Sequence, residues 1–108
     1  MTSNLEKCSF SNTIKEVLFN LYENLHKHKL TEDISINDGV LTWKVQKVGD
    51  YLFNKQTPTK QLWVSSPVTG PYKFDFINCY FYNKKNKLLF DKYLKNELKE
   101  IKRIKNDI

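Results

Sequence analysis

The central part of this chain is a run of short β-prone segments, and it lies between two segments whose apolar residues recur at helical spacing. Apolar alternation with a period of two predicts strands, whereas recurrence every three or four residues predicts amphipathic helices. A helix, a series of strands and a second helix place both helices on the same face of one sheet. We therefore predict an α+β fold, a two-layer α-β sandwich whose N- and C-terminal helices pack on one face of a twisted antiparallel sheet.

Two segments carry the helical pattern. The first helix is predicted over residues 12–28, where Thr13 and Glu16 have the spacing of a capping box. The second is predicted from Leu88 to the C-terminus, with Lys and Asn residues opposite its apolar side. The leucines expected to pack on the sheet are Leu18, Leu21, Leu94 and Leu98.

Turn-forming Gly, Pro, Asn and Asp residues separate the β-prone segments at close intervals. Short strands joined by such turns predict an antiparallel meander. The predicted strands are 34–36, 40–45, 51–53, 61–64, 72–74 and 80–82. Because 108 residues suffice for one domain and no long linker interrupts them, we assign residues 1–108 to a single domain.

The chain carries 18 Lys and Arg residues against 12 Asp and Glu residues, a formal net charge of +6. Such an excess favours acidic partners, among them nucleic acid, and a basic α+β domain with aromatic strands also fits an RNA-binding domain. However, residues 48–53 lack the Gly-aromatic-Gly-Phe core of an RNP1 motif, and the chain begins with a helix. No apolar run approaches the roughly 20 residues of a membrane span. We expect neither a nucleic-acid nor a membrane partner.

The two cysteines belong to no C-x-x-C pair. Cys79 precedes an aromatic strand and is expected to pack in the interior. Cys8 has no partner that the sequence reveals.

The strand around Trp63 is the most informative part of the sequence. Alternation places Gln61, Trp63 and Ser65 on one face of the sheet and the aliphatic pair Leu62 and Val64 on the other. Because the aliphatic pair should face the helices, Trp63 should face away from them. An exposed Trp beside amides is typical of the anchors in protein interfaces, although a Trp that merely covers the sheet fits the spacing equally well.

This stretch resembles the frataxin family in its eukaryotic form. The resemblance lies in residues 54–58 (Asn-Lys-Gln-Thr-Pro), 61–67 (Gln-Leu-Trp-Val-Ser-Ser-Pro), 70–71 (Gly-Pro) and 39–42 (Gly-Val-Leu-Thr), and it is strongest over residues 38–76. It implies an iron-binding regulator of iron–sulfur cluster assembly that docks on a complex of a cysteine desulfurase and a scaffold protein. It also implies a mitochondrion or a mitochondrion-derived organelle, and we expect a monomer.

The resemblance also implies which residues of this sequence dock on the partner complex. It assigns no catalytic residue. Lys73 stands where many family members have Arg, and it lacks the planar fork that pairs bidentately, so its contact should be looser. The docking residues implied by the resemblance are Asn54, Lys55, Gln56, Gln61, Trp63, Ser65, Ser66, Pro67 and Lys73.

The resemblance further implies an acidic ridge that binds ferrous or ferric iron weakly through carboxylate oxygens, which suit such sites. The candidate ligands are Glu16, Glu23, Glu32, Asp33 and Asp38. The set is sparse and has Lys residues nearby, so a merely solvated helix face is the competing interpretation. An imidazole site at His26 and His28 would require the helix to have frayed there. The ferroxidase or iron-storage activity also attributed to the family would need ordered, paired carboxylates.

Overall fold

The structure is a computed structural model that describes residues 8–27 and 33–106. Seven strands lie in one sheet in the order in which they follow along the chain, and every neighbouring pair is antiparallel. This arrangement confirms the predicted α+β sandwich. In chain order the elements are α1 Phe10–Lys27, β1 Asp33–Asn37, β2 Val40–Val45, β3 Gly49–Gln56, β4 Gln61–Ser66, β5 Gly70–Ile77, β6 Tyr80–Asn83, β7 Leu88–Leu89 and α2 Phe90–Asn106.

Helix α1 begins at Phe10, two residues earlier than predicted, because Ser9 caps it. The Ser9 Oγ accepts a hydrogen bond from the backbone N–H of Asn12 at 3.2 Å. The Ser9 carbonyl oxygen accepts one from the N–H of Thr13 at 2.9 Å. Ser9 thus satisfies amide groups that would otherwise lack a partner at the start of the helix. The predicted capping box at Thr13 and Glu16 is wrong, since both residues lie inside the helix.

Leu94 and Leu98 of α2 pack against the core as predicted, but they are only half-buried, and the most buried residues lie one position before them. Aromatic rings set this register: the Tyr93 ring centre lies 4.7 Å from that of Tyr72 and 5.1 Å from that of Phe74. The segment 88–89, predicted as the first part of the helix, instead forms β7. The buried residues of α2 are Phe90, Tyr93, Glu97 and Ile101.

The core fills the space between the two helices and one face of the sheet. Leu18 and Leu21 of α1 are buried in it, as predicted. Trp43 and Tyr51 stack at its centre with ring centres 5.0 Å apart, and neither is exposed. The strand residues buried beneath the helices are Leu41, Trp43, Val45, Tyr51, Phe53, Leu62, Val64, Phe74 and Phe81. Within residues 8–27 and 33–106, neither helix has the length and hydropathy of a transmembrane segment.

Cys8 and Cys79 are joined by a disulfide, with their Cα atoms 5.5 Å apart. Cys79 lies in the turn between β5 and β6, at a φ of 72°, and its side chain is exposed. The expectations that Cys79 packs in the interior and that Cys8 has no partner are therefore wrong. The antiparallel turn carries Cys79 to the end of the sheet beside the start of α1, a proximity that residues 71 positions apart do not reveal in the sequence.

The register of α2 predicts unequal costs for two substitutions on the same helix. Ile101→Ala should lower the free energy of unfolding by about 2–5 kcal/mol, because Ile101 is 1% exposed and its removal leaves a cavity. Leu94→Ala should cost less, since Leu94 is half-buried, and the exposed Lys102→Ala should change stability by less than about 0.5 kcal/mol. Urea unfolding followed by circular dichroism measures all three. Equal losses for Ile101→Ala and Leu94→Ala would contradict this register.

Candidate functional site

Strands β3, β4 and β5 present polar and apolar side chains on the sheet face that the helices leave open. In β4, Leu62 and Val64 are buried, whereas Trp63 between them is half-buried on the open face. Trp63 lies opposite Asn54 of β3 and opposite Lys73 of β5. Beside the indole runs a shallow groove of about 180 Å³, called the Trp63 groove below. Its lining includes Leu52, Asn54, Trp63, Ser65, Pro71 and Lys73.

Neighbouring side chains hold the Trp63 indole in one orientation. Its Nε1–H donates a hydrogen bond to Gln61 Oε1 at 2.7 Å, and Gln61 Nε2 donates one to Asp75 Oδ1 at 2.7 Å. The Lys73 ammonium lies 4.6 Å from the centre of the indole ring, within the range of a cation–π interaction. These contacts explain why Trp63 is half-buried rather than widely exposed. They also give the open face a large apolar side chain whose position is already fixed.

The loop after β4 is anchored to α2 through the buried carboxylate of Glu97, which is 2% exposed. The hydroxyls of Tyr51 and Ser66 each donate a hydrogen bond to Glu97 Oε1 at 2.6 Å, and Thr69 Oγ1 donates one to Oε2 at 2.8 Å. The Ser66 Oγ in turn accepts hydrogen bonds from the backbone N–H groups of Val68 and Thr69, each at 3.0 Å. The loop after β4 is therefore tied to the helix layer by two hydroxyls, those of Ser66 and Thr69, and the Tyr51 hydroxyl holds the same carboxylate from β3.

Sequence reasoning missed the role of Glu97. A signal was present, because Glu97 occupies the position of an apolar residue in the three-and-four spacing that joins Tyr93 to Ile101. A buried carboxylate needs hydrogen-bond donors, so a Glu in such a stripe indicates a polar partner on the facing layer. Here the partners are Tyr51 of β3 and the pair Ser66 and Thr69 at the end of β4 and in the loop after it.

The same loop approaches the start of β3 very closely. A Cβ atom built on Gly49 would lie only 2.6 Å from the Cβ of Pro67, and Gly49 has a φ of +133°. Both the backbone conformation and the lack of space require glycine at this position. Pro67 is itself exposed, so it remains available at the end of the open face.

Two of the predicted docking residues do not reach the open face. Lys55 lies opposite the buried Leu62 in the register, so it belongs to the helix side, where it lines a groove together with Ile14 and Ile36. Ser66 is buried at 6% exposure against Glu97. The resemblance placed both among the docking residues, whereas the alternation along their own strands turns them towards the helices. The residues that the structure does bring together on the open face are Asn54, Gln56, Gln61, Trp63, Ser65 and Lys73.

The predicted iron ligands that the structure describes are spread over α1, β1 and the turn after β1. Glu16 and Glu23 are exposed on α1, Asp33 is exposed at the start of β1, and Asp38 is exposed in the turn after β1 at a φ of 51°. Glu32 lies outside the described residues. In residues 8–27 and 33–106, no three His, Cys, Asp or Glu side chains come close enough together to hold a metal ion. The carboxylates that the structure describes offer separate, solvated oxygens rather than a closed coordination site.

Of the two histidines in the alternative imidazole site, His26 lies within the described residues. His26 is exposed at the end of α1, and its ring lies against that of Tyr22 with centres 4.5 Å apart. His28 lies outside the described residues.

Comparison with known proteins identifies relatives over most of the chain. A family model described as a frataxin-like domain matches residues 3–103. A frataxin from Trachipleistophora hominis is 40% identical over 72 residues, which span 67% of each chain. A mitochondrial frataxin from Arabidopsis thaliana is 42% identical over 72 residues, but the match covers 64% of this chain and only 38% of the plant protein. Relatives from yeast, Dictyostelium and Drosophila are also named mitochondrial, and the predicted mitochondrial localisation is confirmed at this level.

The fold also matches a solved structure. A crystal structure of frataxin from Saccharomyces cerevisiae, described as trimeric and complexed with ferrous iron, superposes with a TM-score of 0.73 at 28% identity. The superposition covers 82% of this chain and 84% of the yeast chain. Because the yeast protein is a trimer, the monomer expected from the sequence stays a prediction.

The Glu97 contacts predict a large difference between two glutamates on one helix. Glu97→Ala should lower the free energy of unfolding by about 3 kcal/mol, because the Tyr51, Ser66 and Thr69 hydroxyls lose their shared acceptor inside the protein. Glu100→Ala removes only a surface pair with Arg103 at 2.9 Å and should cost less than about 1 kcal/mol. Thermal and urea unfolding compare the two variants, and similar losses would show that the buried carboxylate does not hold the loop.

Buried phenols predict a loss of stability at alkaline pH. Burial raises the pKa of Tyr51 above its ordinary value of 10.0, as does its hydrogen bond to Glu97, and burial with the Glu97 charge raises the pKa of Tyr93. The neutral, buried phenols therefore stabilise the folded state fully below about pH 10. This contribution to the free energy of unfolding is lost as the pH rises above that value. Tyr51→Phe should flatten this slope, whereas the exposed Tyr80→Phe should not. Urea unfolding midpoints measured between about pH 8 and about pH 11 test this prediction. If the midpoints of Tyr51→Phe and wild type fell equally with pH, the prediction would be refuted.

Proposed function

Because this chain belongs to the frataxin family, with a frataxin-like domain over residues 3–103, we propose that it regulates iron–sulfur cluster assembly by docking on a cysteine desulfurase and scaffold complex. The observation that carries the proposal is Trp63, which stands fixed on the open face between Asn54 and Lys73. The residues of the frataxin resemblance that share this face supply the remaining contacts. In this function the chain acts by binding, and no residue of the face is assigned a catalytic step.

The physical case for docking rests on preorganisation. Trp is among the residues that contribute most to binding energy at protein interfaces, where it fills a pocket of the partner. Immobilising a flexible side chain on binding costs conformational entropy. Trp63 loses less of it on binding, because its hydrogen bond to Gln61 already restricts the indole in the free protein. The Trp63 groove beside the indole is mostly apolar, which gives a partner side chain a place to bury apolar surface.

Iron enters this function as cargo rather than as a resident cofactor. The relative from Saccharomyces cerevisiae is described as complexed with ferrous iron, and this chain carries exposed carboxylates at Glu16, Glu23, Asp33 and Asp38. Separate carboxylates in water attract a hard cation but bind it weakly, because each one supplies only a few oxygen ligands. We propose that the α1 and β1 edge holds ferrous iron transiently. A ferroxidase role, which would need several converging ligands, is not proposed.

Trp63→Ala should abolish the stimulation of cluster assembly while leaving the fold intact. Truncation of a half-buried residue on the open face leaves no cavity in the core, so the loss of stability should stay within about 1 kcal/mol. At the partner interface the same truncation should cost about 2 kcal/mol or more, a loss of roughly thirtyfold in affinity. Calorimetry with the desulfurase and scaffold complex gives the affinity, and sulfide release gives the activation.

The matched control is Phe19→Ala. Phe19 is 58% exposed on α1, so its truncation removes an aromatic ring from the opposite layer and likewise leaves no cavity in the core. It should leave both binding and activation unchanged. Binding of Trp63→Ala with wild-type affinity, or unfolding of Trp63→Ala, would exclude the docking assignment.

A further inference from the structure

A second depression, called the basic cleft below, lies beside the Trp63 groove. It has a volume of about 620 Å³ and is bordered on one side by the first half of β5 and on the other by the turn that follows β6. Its walls include Pro71, Tyr72 and Lys73 of β5 and Lys84, Lys85 and Asn86 of the turn. Neither the docking residues nor the iron ligands derived above include any residue of this turn.

The cleft forms because β6 pairs with only part of β5. β6 pairs with β5 only from Asp75 to Ile77, so the first half of β5 has no strand on that side. Asn83, 5% exposed, fixes the turn instead: its Nδ2 donates a hydrogen bond to the Lys73 carbonyl oxygen at 2.8 Å, and its Oδ1 accepts the N–H of Asn86 at 2.7 Å. The turn is therefore held against β5 by a buried amide, and the cleft is built into the fold.

The charge of the cleft is positive. Three lysines, Lys73, Lys84 and Lys85, line the cleft together with a single carboxylate, that of Asp75. Asp75 already accepts a hydrogen bond from Gln61 at 2.7 Å, and its contact with Lys84 is long, at 4.0 Å. Lys85 makes no ion pair with any residue that the structure describes. A concave surface with an excess of one charge raises the local concentration of ligands of opposite charge.

We propose that the basic cleft receives an acidic peptide segment of the same protein partner that docks at Trp63. The inference rests on the proposed function and deepens it by naming the chemistry of the partner. Continuity supports it, since Pro71, Tyr72 and Lys73 line both the Trp63 groove and the cleft. The chain that adjoins an apolar side chain held in the groove therefore passes along β5 into the cleft that the three lysines line.

The aromatic residues nearby favour a peptide over a nucleic acid. Single-stranded nucleic acid binds by stacking its bases on open aromatic faces. Here Lys73 lies over the ring of Trp63, and Tyr72 packs against Tyr93 with ring centres 4.7 Å apart. Carboxylates spaced along a peptide can instead pair with the ammonium groups one at a time.

Charges at the rim of an interface mainly set the association rate and its salt dependence, whereas the apolar centre sets the lifetime of the complex. The basic cleft and Trp63 should therefore affect different kinetic constants. Exchange of the cleft charges should slow association, and truncation of Trp63 should speed dissociation.

The first test compares two charge reversals of equal size. Lys84→Glu with Lys85→Glu alters the cleft, and Lys95→Glu with Lys99→Glu alters exposed positions of α2 in the opposite layer. Association with the desulfurase and scaffold complex is measured at low and at high salt. The cleft variant should associate at least about tenfold more slowly at low salt and lose most of its salt dependence, while the α2 variant should change by less than about threefold. If both variants slowed association equally, the association rate would depend on the net charge of the protein alone. That result would overturn the inference.

The second test uses the isolated protein and does not depend on the assembly complex. A hexaglutamate peptide is titrated in, and a thymidine oligonucleotide of equal charge is titrated in parallel, with amide chemical shifts as the readout. The peptide should shift Lys73 and the 84–86 amides of wild type but not of the cleft variant. Tighter binding of the oligonucleotide, or no shift with the peptide, overturns the inference.

The two tests separate this inference from the proposed function. If Trp63→Ala abolishes binding to the complex and the cleft variant binds like wild type, docking stands and the acidic segment is excluded. If wild type does not bind the complex at all, the proposed function fails, and the hexaglutamate titration alone decides whether the cleft accepts acidic peptide.

Discussion

The buried carboxylate of Glu97 joins the two layers of this fold at the point where the candidate site begins. Tyr51 reaches it from β3, Ser66 from the end of β4, and Thr69 from the following loop. Apolar packing alone would tolerate small shifts of α2 along the sheet, because dispersion contacts are not directional. Hydrogen bonds of 2.6 to 2.8 Å do not tolerate such shifts. The position of the loop after β4 therefore depends on a polar contact within the core.

The two tryptophans show how one sheet serves two purposes. Trp43 is fully buried beneath the helices, and Trp63, two strands away, is half-buried on the opposite face. Alternation along each strand assigns the two rings to different layers. Changes on the open face can therefore alter binding without opening a cavity in the core, so the recognition surface can vary while the packing is kept.

The sequence was sufficient for the architecture and for the orientation of Trp63, because both follow from periodicity. It was insufficient where polar contacts decide the outcome. Leu94 and Leu98 do pack against the core, but they lie at the margin of the buried side of α2, because Tyr93 and Glu97 occupy its centre. Lys55 and Ser66 were assigned to docking through the family resemblance, although strand alternation places both on the helix side. Where motif and alternation disagree about a side chain, the structure here follows alternation.

The sheet order has a consequence for how this chain folds. Every strand pairs with its neighbour in sequence, so each strand pair closes only a short loop, and the entropy lost on closure is small. Proteins rich in such local pairings fold faster than those that must join distant segments. The sheet can grow hairpin by hairpin from any of its turns. The non-local part of the fold is the placement of α1 and α2, because these two helices are far apart along the chain and pack on the same sheet.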